Sequence, residues 1–251
     1  MMTTVRDVLA QRSPKRVVLN REPYPKKLLI EDHALKKAHE ICVRVREHCG
    51  GPREWSGYLM AREADLRVVV DILLERNDEM SRHYTRISGK AIAQAADRAR
   101  GAQGRIVGGI HSHAASYVFF SHVDDRNIAQ VVSSVSLDTA KLTAREELLD
   151  PLVVDMGGEA HTEGAALCVQ LDVQPGTSVA GARLLAPVFT GWSYNLVIND
   201  RRETDAEVAV LEEHPLLRRT NTLREVVQVE VLKTGRNLDQ AAMDPMSELG
   251  W

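Results

Sequence analysis

The pattern of apolar and polar positions divides this 251-residue chain into readable elements. Val17-Val18-Leu19 reads as a short edge strand. Leu35, Ala38, Ile41, Cys42, Val45 and Cys49 recur at helical spacing, which predicts a helix over 32–49 with Asp32 as its N-cap and Gly50-Gly51-Pro52 as its stop. Trp55 to Met60 and Leu66 to Leu74 read as a hairpin around the polar turn Arg62 to Asp65. Ala91, Ile92, Ala95, Ala96 and Ala99 predict a second helix over 90–100. Ile106 to Ile110 is an apolar run of strand character. Helices are expected from Asp124 to about Val135 and around Lys141 to Leu149. Strands are expected at Leu167–Val173, at Val188–Thr190 and at Leu223–Leu232. Tyr194–Asp200 and Glu207–Leu211 read as a hairpin around Arg201-Arg202-Glu203.

Composition narrows the class without naming a chemistry. A hydrophobic fraction of 44% and a charged fraction of 27% are ordinary for a globular protein with a real core. Formal net charge is -3, so no global basic field favours nucleic acid. There is no run of about 18 apolar residues, so no membrane span is expected. Met1 to Arg16 is polar and lacks the apolar centre of a secretory leader. Cys42 and Cys49 are too far apart along one helix to bridge without strain. With Cys168 they read as reduced, buried thiols of a cytoplasmic protein.

The chemistry lies at the end of the run 106–110. His111 and His113 are two residues apart, so on a strand both imidazoles share one face. Asp124 follows eleven residues later, far enough for a loop to return its carboxylate to the two rings. Two imidazoles and a carboxylate are a usual protein set for a catalytic Zn2+. Glu54 is the upstream candidate for a general base. Paired histidines in a strand can equally serve nearby polar groups, and Ser121-x-x-Asp124 also has the form of a helix N-cap. His33, His39 and His48 are expected on the surface or boundary of the first helix, not as ligands. His122 and His161 lack a matching ligand pair for a second site.

With Glu54 two residues before a Ser-Gly step, the pattern His111-Ser112-His113, Ser121 and Asp124 resembles the JAMM/MPN metalloprotease motif. One departure is Ala114, where the family usually has proline. A proline is expected to be tolerated there if the loop follows the family path. The resemblance spans roughly residues 28 to 212 and implies an α/β MPN (JAB) fold: a mixed β-sheet curled around and flanked by helices, with insertions near the active site. The implied division is a lead-in over 1–27, a catalytic domain over 28–212, and an extension over 213–251 that packs on the core. Glu75–Arg86 and 139–165, including Met156 to His161, are the expected substrate-facing insertions.

In the resembled family the residues matching His111, His113 and Asp124 hold Zn2+. The match to Glu54 moves the proton, and the match to Ser121 donates to the oxyanion. The implied activity is an (iso)peptidase acting after the tail of a ubiquitin-like protein, in deconjugation or maturation, including bacterial antiviral conjugation systems. Implied partners are that ubiquitin-like protein or its conjugates, and E1/E2-like proteins of the same system. The alternatives are a non-catalytic MPN scaffold, a hydrolase of a small amide, and the DNA-linked RadC branch, against which the -3 charge argues.

Overall fold

The computed structural model describes residues 15–74, 79–80, 85–86, 89–147, 152–155, 163–164, 167–173, 179–238 and 243–250. The elements in order are β1 (Arg16–Val18), β2 (Lys27–Glu31), α1 (Asp32–Cys49), β3 (Ser56–Arg62), β4 (Asp65–Leu73), β5 (Glu79–Met80), β6 (Thr85–Arg86), α2 (Gly89–Gly101), β7 (Gly104–Ser112) and α3 (His122–Thr139). They continue with β8 (Lys141–Glu147), β9 (Leu152–Asp155), β10 (Glu163–Gly164), β11 (Leu167–Val173), β12 (Val179–Ile198), β13 (Thr204–His214), β14 (Arg219–Val226), β15 (Gln228–Leu232) and α4 (Pro245–Leu249). The expected mixed α/β architecture is present. His83, Tyr84, the stretch Met156 to His161 and Trp251 lie outside the described residues.

The chain forms two units whose ranges interleave. The larger comprises 24–140, 191–211 and 222–251. Its sheet runs from the C-terminal half of β12 through β7, β3, β4 and β2 to β15. β7 is parallel to β12 and antiparallel to β3, and β2 is parallel to both β4 and β15. Alternation along β3 divides two cores. Leu59 and Ala61 join Ala38, Ile41 and Val45 of α1, whereas Tyr58 and Met60 join Ile92 and Ala95 of α2 and Val131 and Val135 of α3. Burying both faces explains why these strands are nearly continuously apolar.

β7 lies between β3 and β12. A Cβ at Gly108 would stand 2.1 Å from the Tyr194 carbonyl oxygen, so only glycine permits this approach. Thr139 at the end of α3 donates to the Trp192 carbonyl at 2.7 Å, and its hydroxyl accepts the Trp192 N–H at 2.7 Å.

The smaller unit comprises 1–23, 141–190 and 212–221. The helix expected near Lys141 to Leu149 is instead strand β8. It pairs antiparallel with β1 on one side and with Leu185–Thr190 of β12 on the other. Ladder bonds on both edges and the buried Thr143, Ala144 and Glu146 outweigh the helical propensity of Ala144-Arg145-Glu146-Glu147. Within the same unit β12 also pairs with β9 and β11.

Four other expectations change. The N-cap of α1 is Glu31, with Asp32 in the first turn, where its carboxylate accepts from the Thr234 hydroxyl and N–H. His33 is buried against Glu31 rather than at the surface. Val188–Thr190 and Tyr194–Ile198 belong to one 20-residue strand. The expected strand 223–232 is two, interrupted at Val227, whose N–H turns to the Ala206 carbonyl.

Candidate metal centre

The site is assembled where β7 ends. The Ser112 N–H donates to the Trp55 carbonyl at 2.9 Å, and the His113 N–H donates to the Ile198 carbonyl at 2.9 Å. The two neighbouring strands therefore fix the backbone that carries both imidazoles. Ser56 stands opposite His111 in the antiparallel register. Continuing that register by two residues brings Glu54 alongside His113. Trp55 anchors this entry to β3: it is fully buried, and its indole N–H points to Cys42 Sγ at 3.4 Å.

His111, His113 and Asp124 come together, their ligand atoms all within 4.8 Å of one another. The imidazole centroids are 5.1 Å apart at an interplanar angle of 50°. His113 Nε2 lies 3.6 Å from Asp124 Oδ2. Its Nδ1 lies 3.0 Å from the Tyr117 carbonyl, which favours an Nδ1–H tautomer and turns the Nε2 lone pair inward. His111 Nε2 is 3.2 Å from Asp124 Oδ1, within ion-pair reach, yet it is buried and makes no hydrogen bond among the described residues. A buried imidazole nitrogen facing a carboxylate without hydrogen-bond geometry suits a shared cation better than a shared proton. The three side chains therefore fit a metal ion.

Ser121 and Asp124 form a capping box at the start of α3. The Ser121 N–H donates to Asp124 Oδ2 at 2.7 Å, and the Asp124 N–H points to Ser121 Oγ at 3.4 Å. The N-cap reading and the ligand reading are thus compatible in one residue pair. Helix α3 begins at His122, two residues before Asp124, so the carboxylate sits in the first turn at the positive end of the dipole.

The electrostatics of the site favour positive charge. Burial of Asp124 acts to raise its pKa, but His111, His113 and Ser121 outweigh burial and hold the carboxyl well below the usual carboxylate range. Burial opposes protonation of His113, but Asp124 and the Tyr117 carbonyl outweigh it and raise its pKa. Glu54 differs. Burial pushes its carboxyl up to about 7; His113 pulls it down and Asp124 adds to the rise. A carboxyl near 7 is suited to holding and releasing a proton at neutral pH.

A family model of prokaryotic homologs of the JAB domain matches residues 36–159, a span that includes Glu54, both histidines, Ser121 and Asp124. The chain carries a JAB domain. No curated protein matches it. The JAB domain together with its His-His-Asp group suggests a JAMM-type hydrolase. Among the described residues no helix is long and apolar enough to cross a membrane.

Sequence reasoning missed three supports of the JAB-domain site. Phe119 meets the His113 ring edge-on at 4.7 Å, and Phe120 meets His111 at 6.2 Å. Their signal was legible, because two of the chain's three phenylalanines stand at 119–120. Arg224 reaches across from β14. It holds buried Glu207 with two bonds of 2.7 and 2.8 Å, pairs with Asp125 beside Asp124, and lies over the Phe120 ring. Asn199 and Asp200 hold the loop leaving β7: Asn199 Nδ2 donates to the Ser116 carbonyl at 3.0 Å, and the Asp200 N–H to the Ala114 carbonyl at 2.8 Å. His122 is exposed and pairs with Asp125, away from any second metal group among the described residues.

Proposed function

We propose that this protein is a zinc-dependent (iso)peptidase that cuts after the tail of a ubiquitin-like protein. One observation carries the reading: two imidazoles and a carboxylate converge beside a half-buried Glu54, whose partial burial pushes its carboxyl up to about 7. A zinc ion held by His111, His113 and Asp124 would supply Lewis acidity and make water acidic enough to attack at neutral pH. Glu54 takes the proton of the attacking water and hands it to the leaving amine. Ser121 Oγ accepts from the Asp124 N–H, so its own proton remains available for the oxygen of the scissile carbonyl. Ser112 is buried and anchors the loop instead.

The ubiquitin-like substrate rests on the JAMM resemblance. The exposed Tyr117 and half-exposed Phe119 beside His113 support an extended tail lying against the site. E1/E2-like proteins of the same conjugation system are the proposed partners. Zinc points to a site selected by donor chemistry, since two imidazoles and one carboxylate leave a coordination position open.

The test combines metal content with cleavage. Purified wild type is expected to hold about one zinc and to release the product from a ubiquitin-like fusion. Glu54→Gln is expected to keep the zinc and lose turnover. Zinc-loaded wild type that cleaves no ubiquitin-like fusion but hydrolyses a small amide would move the substrate assignment. A wild type that binds no zinc after reconstitution would sink the reading altogether.

A further inference from the structure

A second concavity lies in the larger unit, between the C-terminal half of α1 and the turn joining β12 to β13. Its volume is about 580 Å³, within the range of small-molecule sites. His39, Cys42 and Arg46 line it from α1, and Asn199, Asp200 and Arg202 from the turn. Two polar atoms of its lining residues, His39 Nδ1 and Asp200 Oδ2, are buried without a hydrogen-bond partner among the described residues. Arg46 Nη1 stands 4.0 Å from Asp200 Oδ2, an ion-pair distance that makes no hydrogen bond. Buried polar atoms are nearly always satisfied, so two orphans on residues that line one cavity call for a partner.

The charges select its chemistry. Arg46 and Arg202 offer two guanidinium groups, whereas Glu47 and Asp200 offer two carboxylates, and among the described residues Asp200 Oδ2 lacks a donor. A plain anion would meet Glu47 and Asp200, and a plain cation would meet both arginines. Only a molecule carrying both signs matches all four groups. Burial, then Arg202, lowers the pKa of His39, so at neutral pH its uncharged ring brings one donor and one acceptor. We propose that this cavity binds a small zwitterion, an amino acid or short peptide end, with its ammonium on Asp200 and its carboxylate on Arg46 and Arg202.

The probe is diglycine, titrated calorimetrically into the full chain, with ethylamine and acetate as half-probes. Diglycine is expected to saturate one site at about millimolar Kd, with each half-probe roughly tenfold weaker or worse. Asp200→Ala and Arg202→Gly should each weaken diglycine by about tenfold. Arg202 has φ of 63°, so glycine suits its backbone and that variant is expected to keep its fold while losing the cation. Absence of saturation, acetate or ethylamine binding as tightly as diglycine, or unchanged affinity in both folded variants would each overturn the site. The titration is done in chelator-treated protein as well, so its outcome is independent of the metal reading.

Discussion

The Ser121 N–H donates to Asp124 Oδ2 at 2.7 Å, while Asp124 Oδ1 lies 3.2 Å from His111 Nε2. One carboxylate therefore starts a helix with one oxygen and faces an imidazole with the other. The cap fixes the aspartate's rotamer, so the third ligand is held in place before any cation arrives.

This dual role can be separated by substitution. Asp124→Asn keeps an acceptor for the Ser121 N–H but removes the charge, and is expected to lose the metal with little loss of stability. Asp124→Ala should lose the metal and also about 1 kcal/mol of helix capping. Elemental analysis beside thermal melts of the metal-free proteins checks both. Equal melting temperatures for the two variants would show that the cap contributes nothing.

Ala114 has φ of 48°, in the left-handed region, where a proline ring cannot go. The loop therefore departs from the path expected for a family proline. Ala114→Pro is expected to cost at least about 3 kcal/mol, since it also displaces a loop whose Ala114 carbonyl holds the Asp200 N–H. Ala114→Gly relieves a left-handed Cβ penalty of about 1–2 kcal/mol against a smaller entropic loss in the unfolded chain. It should be neutral or stabilising by up to about 1 kcal/mol. Chemical denaturation of the two variants measures this. A stable proline variant would mean that the loop runs differently.

Arg224 lies a hundred residues from the metal group and steadies it through Asp125 and Phe120. Among the described residues, Arg224→Ala leaves buried Glu207 with only the Asn195 side chain donating to its carboxylate, at 3.1 Å. The expected cost is about 2–3 kcal/mol, and metal affinity should fall by about tenfold through the loosened start of α3. Arg224→Lys cannot form the two-bond fork and should recover only part of either loss. Chelator competition gives the affinity and denaturation the stability; unchanged metal affinity in a folded Arg224→Ala would confine the residue to stability.

Burial pushes the Cys42 thiol up to about 12, against the Trp55 indole N–H, which lowers it. Cys42 is expected to resist iodoacetamide at about pH 8 in the native protein and to react fully once denatured. Peptide mass spectrometry of the two samples reads the outcome directly. Rapid native labelling would show that Trp55 and α1 open readily, and with them the entry that carries Glu54.

Much of the site is written in short-range spacing. The two-residue step from His111 to His113 sets both rings on one face of β7, and Ser121-x-x-Asp124 sets the start of α3, because strand pleat and helix cap are local properties of backbone geometry. Helix α1 was legible from Leu35 to Cys49 for the same reason. Tertiary structure alone decided the rest. Lys141–Glu147 became a strand because partners on both sides satisfied its backbone. Ala114 took a left-handed φ beside the Asp200 N–H, and Arg224 came under the site from β14. Each of these depends on which distant segment supplies the burial or the hydrogen bond, and such pairings carry no local period for a sequence to display.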